Sequence, residues 1–229
     1  MPPSAPFGPG LFRFLKDLAA NNDRAWFAEN KARYEDEVKM PLLAFIAEVA
    51  GPLGKISPHF RADPRPVGGS MFRIHRDTRF SKDKRPYKTH AAAQFRHAAG
   101  KDAHTPCYYL HLEPGSVFVG AGIWHPDAAS AAKIRQSILD DPAGWKRVRG
   151  ARKFRETMEL AGDSLKRPPR GVDADHPLLD DLKRKDFIAV ATLKQADVLS
   201  PGFRTQFTGI CRTAGPFVRF VTEGMGLEF

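Results

Sequence analysis

Between Gly69 and His90 the chain reads GSMFRIHRDTRFSKDKRPYKTH. Seven cations, Arg73, Arg76, Arg79, Lys82, Lys84, Arg85 and Lys88, fall within 16 residues of that stretch, with Asp77, Phe80, Asp83 and Tyr87 set among them. A guanidinium is a planar fork that grips carboxylate or phosphate through two parallel hydrogen bonds. Arg73, Arg76, Arg79, Lys84 and Lys88 therefore predict an anion pocket, with Tyr87 closing it behind the stiff Pro86. Carboxyls among so many cations have depressed pKa values, which suits Asp77 and Asp83 to orienting the guanidiniums rather than carrying protons. On residue type alone, His75, Tyr109 and His111 are the candidates for proton transfer.

The spacing Arg73-x-x-Arg76-Asp77-x-Arg79-Phe80-Ser81-x-Asp83-Lys84-x-Pro86-Tyr87-Lys88 resembles the uncharacterised bacterial family catalogued as domain of unknown function 2461. So do Asn21-Asn22-x-Arg24-x-Trp26-Phe27-x-x-Asn30-Lys31, Gly120-x-Gly122-Ile123-Trp124-x-Pro126, Lys166-Arg167-Pro168-x-Arg170-Gly171 and Asp175-His176-Pro177. The resemblance spans about Gly10 to Leu193 and implies a single domain. It marks these positions but brings no activity, cofactor or mechanism with it.

The elements that must hold the basic stretch follow from periodicity. Leu11, Phe14, Leu15 and Leu18 make an amphipathic helix over 11–20, and Asn22 or Asp23 is placed to cap a second helix running to about Val38. Residues 41–50 form a third helix, and Gly51-Pro52 opens a loop to Gly69. From Ser70 the period becomes two. Strands are expected over 70–76, 91–97, 107–113 and 117–124, the last two a hairpin about Pro114-Gly115, with 187–193 a further strand. That alternation sets Phe72, Ile74, Phe95, Tyr108, Leu110 and Leu112 on one face. Arg73, His75, Gln94, Arg96, Tyr109 and His111 fall on the other, where Gly120 and Gly122 would admit a ligand. Helices follow over 127–139, from Pro142 through Val148, over 152–161 and 177–185, and over 201–222, the last capped at Ser200-Pro201 and kinked at Gly215-Pro216. The fold class is α+β: an antiparallel sheet of about four to five strands with N-terminal and C-terminal helices packed on it. A flexible tail over 1–10 and one domain over 11–229 are the expected organisation.

Composition bounds the rest. The chain has 229 residues, 36 Lys/Arg against 26 Asp/Glu, and a formal charge of +10. Residues 61–101 hold 11 Lys/Arg against 3 Asp/Glu and residues 145–170 hold 9 against 3, so the excess sits in two segments and favours anionic partners. No apolar run is long enough to cross a bilayer, and the start has no signal-peptide pattern. Two cysteines make no disulfide framework and fit a reducing cytoplasm. No short His/Glu motif appears and no carboxylate is obviously placed beside His75 and His111, so neither metal nor cofactor is expected; nucleotide-fold glycine motifs are absent too. Three functions compete: an anion pocket for a phosphate- or carboxylate-bearing small molecule, with or without catalysis; a nucleic-acid-binding module; and a structural Arg/Asp network with no ligand. Oligomeric state is not readable.

Overall fold

The computed structural model describes residues 4–100 and 104–229. The chain opens with α1 (Gly10–Ala20), α2 (Arg24–Glu29) and α3 (Lys31–Arg33), then a π-helical stretch (Tyr34–Lys39) that leads into α4 (Met40–Gly54). After a long loop come β1 (Ala91–Arg96), β2 (Cys107–Glu113) and β3 (Ser116–Ile123). There follow α5 (Ala128–Asp140), α6 (Pro142–Gly150), α7 (Arg152–Thr157), β4 (Glu159–Ala161), α8 (Leu179–Leu182), β5 (Phe187–Leu193), α9 (Gln195–Val198) and α10 (Phe203–Gly224). The strands form one antiparallel sheet in the order β1-β2-β3-β5-β4. The protein is α+β, with helices packed against an open sheet.

Alternation decides which face of the sheet is buried. Phe95, Tyr108, Leu110, Leu112, Val117, Val119, Ala121, Phe187, Ala189 and Ala191 share one face and are all in the core. The last helix, α10, covers it, chiefly over β3, and buries Phe207, Cys211, Ala214, Phe217, Val218 and Val221. The amphipathic stripe of α1 completes the core with Leu11, Phe14, Leu15 and Leu18. Within the Pro-rich start, Phe7 is buried between the rings of Phe45 and Phe203, at 5.3 and 6.0 Å, and the Ser4 carbonyl accepts from Arg204. Residues 1–3 of the expected tail lie outside the described residues.

Several elements depart from the periodic reading. The second helix stops at Glu29, where the Asn30 side chain turns back onto the Trp26 carbonyl; the ladder restarts as the short α3 and then widens into the π stretch. Helix α4 runs through Pro52 to Gly54, carried by burial of Leu53, so the loop begins later than Gly51-Pro52 suggests. Residues 152–161 are split: α7 ends at Thr157 and Glu159–Ala161 pairs with β5. Ser200 does not cap the last helix; its hydroxyl donates to the Asp197 carbonyl, and α10 begins at Phe203.

The most consequential departure is at 70–76, which is no continuous strand. Its first half lies along β1, with Phe72 N donating to the Ala92 carbonyl and Gln94 N to Ser70. Its second half leaves the sheet and pairs with 86–88, through Arg76 N to the Pro86 carbonyl and Lys88 N to Ile74, each 2.8 Å. Because the partner changes between Phe72 and Ile74, the expected parity fails. Phe72 lies against Tyr109 at 6.1 Å, on the polar side of the sheet, while Ile74 is in the core. His75 leaves the sheet to lie beside Phe27 and Tyr87.

Candidate functional site

The basic motif forms an arm whose base is fastened and whose tip is neutralised. At the base, Asn22 accepts from Tyr87 N and donates to the Tyr87 carbonyl, both at 3.0 Å. The Tyr87 ring is buried and stacks on Phe27 at 4.1 Å and 18°. Tyr87 is thus built into the core beside His75 instead of closing a pocket. Farther out, Asp77 grips the Arg79 fork at Oδ1–Nε 3.0 Å and Oδ2–Nη2 2.7 Å. Asp83 holds Arg85 at 2.7 Å and Arg76 at 2.8 Å, and Arg76 also donates to the Arg85 carbonyl. The Lys84 ammonium is spent on the Thr78 carbonyl. The hydrogen bond from Arg79 brings the Asp77 carboxyl down to about 2, and that from Arg85, joined by Arg76, lowers Asp83 as well. Arg76, Arg79 and Lys84 are thus each held by a partner within the arm, and Phe80, 96% exposed, has the Arg79 guanidinium 5.8 Å from its ring centroid.

Arg73 and Lys88 differ. Neither has an ion pair among the described residues. The Lys88 ammonium stands 5.0 Å from the Phe72 ring centroid, an arrangement that fixes its direction. Burial lowers the Lys88 pKa, and the positive charge of Arg73 lowers it further. Two neighbouring cations thus sit where the chain turns from the arm onto the edge of β1.

The sheet face reached from that edge is polar and only partly exposed. Cross-strand register places Gln94, Tyr109, Gly120 and Val190 in one row and Ala92, His111, Phe118 and Thr192 in the next. Tyr109 Oη lies 3.1 Å from His111 Nδ1, and His111 Nε2 lies 3.3 Å from Glu113 Oε2. The Thr89 hydroxyl donates to Glu113 Oε1 at 2.6 Å. The His111 ring is sandwiched between Phe118, stacked at 4.6 Å and 14°, and His90 at 4.5 Å. A ligating atom from each of His90, His111 and Glu113 lies within 4.8 Å of the other two. Tyr109 and His111 are therefore together, as the alternation requires, and His75 is not with them. His90 and Glu113 escaped the sequence reading, although the spacing His111-x-Glu113 on one strand was a usable signal for the second. Finding His90 needed the pairing of β1 with β2, which sets it next to that row.

Burial governs the charges here. His90 is pushed down to about 4 by burial and by the neighbouring His111; burial also lowers His111, against the pull of Glu113. Burial alone would raise Glu113, but hydrogen bonds from Thr89 and His111 outweigh it and hold the carboxyl low. Near neutral pH the cluster is two neutral imidazoles and one carboxylate. The Tyr109 hydroxyl is pushed up by burial and stays protonated.

Two other features lie elsewhere. Grooves of about 390 and 250 Å³ flank Arg212 and Pro216 on α10, one lined also by Lys55, Arg219 and Phe229, the other by Lys153 and Phe154. Neither includes a residue of the basic arm or of the histidine cluster. Beyond β3, the fully buried Asp186 accepts from His125 N, His125 Nδ1 and Asp163 N at 2.7–2.8 Å. This clamp holds His125 at φ 50°, a left-handed conformation uncommon for a side-chain-bearing residue.

Fold and site together define an α+β protein whose open antiparallel sheet carries a His/Glu cluster beside a two-cation edge. The chain belongs to the family described as conserved hypothetical protein (DUF2461), whose model matches residues 10–220. No curated protein and no solved structure matches it.

Proposed function

We propose that the protein binds an anionic small molecule, bearing phosphate or carboxylate, at the edge of the polar sheet face, with Arg73 and Lys88 as the anion clamp. One observation carries this reading. Of the cations in the basic motif, Arg76, Arg79 and Arg85 are matched by Asp77 and Asp83 and Lys84 by the Thr78 carbonyl; of those with no ion pair among the described residues, the exposed Lys82 lies out on the arm, whereas Arg73 and Lys88 adjoin each other at the edge of β1. Adjacent like charges, one of them half-buried, repel; an anion between them removes that repulsion and forms charge-assisted hydrogen bonds. Phe72 aims the ammonium, and Tyr109 and His111, farther along the same face, are placed to meet the body of the ligand. Any catalysis there would use these two groups for positioning or proton transfer. Asp77 and Asp83 act at a distance, by bracing the arm through Arg79, Arg85 and Arg76.

The test is a thermal-shift titration with inorganic phosphate, pyrophosphate and citrate. Wild type should gain stability with at least one of them, and the gain should vanish in Arg73→Ala and Lys88→Ala while persisting in Arg79→Ala. Absence of a shift with every anion, or an undiminished shift in Lys88→Ala, sinks the reading. A second reading is favoured by the closed Arg/Asp pairs: the network only locks the arm. It predicts that Arg76→Ala melts earlier than Arg79→Ala, with no anion effect in any variant.

A further inference from the structure

We propose that His90, His111 and Glu113 form a binding site for one divalent transition-metal ion. The proposal goes beyond anion binding and stands without it, because it uses neither Arg73 nor Lys88. Two imidazoles and one carboxylate are a donor set used for zinc and for non-haem iron, with the remaining positions open to water or substrate.

The geometry is close to what an ion needs. Metal–N and metal–O bonds of about 2.1 Å at a tetrahedral angle put ligand atoms about 3.4 Å apart. His111 Nε2 and Glu113 Oε2 are already 3.3 Å apart, and all three ligand atoms lie within 4.8 Å of one another. To meet them at one ion the His90 ring must turn from its 35° tilt against His111.

The groups behind the ligands argue further. Metal-bound histidines use their second ring nitrogen to hold orientation, and ligating carboxylates are themselves hydrogen-bonded. His111 Nδ1 meets Tyr109 Oη at 3.1 Å, Phe118 fixes the plane of the ring by stacking, and Nε2 faces Glu113 Oε2 at 3.3 Å, a hydrogen bond that an ion between the two atoms would replace. The Thr89 hydroxyl holds Glu113 Oε1, which leaves Oε2. The ligands come from the lead into β1 and from two alternate positions of β2, so the paired strands themselves set the spacing.

The experiment is a titration of the full chain, stripped with chelator, in phosphate-free buffer. Co²⁺ is followed by its visible absorption and Zn²⁺ by competition with a chromogenic chelator. The expected result is one equivalent per chain, with the intense band of four- or five-coordinate Co²⁺ displaced by Zn²⁺. His90→Ala, His111→Ala and Glu113→Gln should each weaken Zn²⁺ binding at least about tenfold, and Thr89→Val by about tenfold with the stoichiometry kept. His75→Ala and Arg79→Ala should bind as wild type, and because the titration reads the metal in phosphate-free buffer, failure of the anion clamp leaves this result intact. If wild type gives only the weak spectrum of hydrated Co²⁺, or if His90→Ala and Glu113→Gln bind Zn²⁺ as wild type does, the site does not exist. The wild-type spectrum decides even if a variant fails to fold.

Discussion

Asn22 does with its carboxamide what a neighbouring strand does with its backbone. It satisfies both the N–H and the carbonyl of Tyr87, 65 residues away, and so joins the first helices to the base of the basic arm. Replacing it by Ala leaves two part-buried backbone groups without partners, which costs about 2 kcal/mol. For a chain of this size that is a fall in Tm of about 4–8 °C, measurable by calorimetry. Asp186 is a second such residue, and its effect depends on pH. Burial would raise its carboxyl, but the bonds from His125 and from the Asp163 amide outweigh that and hold it below the ordinary 3.8. Between the lowered value and 3.8 the unfolded chain binds the proton and the folded chain does not, so stability rises with pH there. The Asp186 contribution is complete above the ordinary value and is lost as pH falls through the lowered one. Asp186→Asn should therefore be less stable than wild type at neutral pH, with the gap narrowing in acid unfolding curves. A constant gap would show that the charge is irrelevant. Asn22 was legible in the sequence only as a helix cap, a role that Asp23 takes through its bond to Trp26 N.

At the scale of elements, β1, β2, β3 and β5 follow from alternation because each buries one apolar face against helices. Residues 70–76 alternate equally well and still do not form one strand. Alternation reports which side chains want burial, but not whether one partner accompanies the segment along its whole length. The glycines of β3 divide in the same way. A ligand approach is one reason for glycine in a strand, but Gly122 has another: its φ is 115°, and an added Cβ would lie 2.1 Å from the Phe187 carbonyl oxygen. Gly122→Ala should be destabilised by about 3 kcal/mol or more, or fail to accumulate. At Gly120 the nearest atom to an added Cβ is Tyr109 Cβ at 3.6 Å, an ordinary contact, so Gly120→Ala should melt within a few degrees of wild type. Comparing the two melts checks whether strain or lost space governs this strand.

Over the whole molecule, the +10 charge is handled by pairing more than by a common target. The arm looks, as a string of residues, like one concentrated cationic patch; folded, each of its carboxylates takes the guanidinium two positions on, and among the described residues Arg73 and Lys88 at its root, with the exposed Lys82, are left without an ion pair. The α+β class, four of the five strands, the buried and polar sides of the sheet and the meeting of Tyr109 with His111 were determined by local sequence, because periods of two and 3.6 are properties of the backbone that every residue shares. Tertiary structure alone decided that Tyr87 is core, that Arg73 and Lys88 are unmatched, and that His90 comes beside His111 and Glu113. Each of those depends on which segments pair, and pairing is settled by the burial and hydrogen bonding of the complete chain, not by the composition of any one stretch of it.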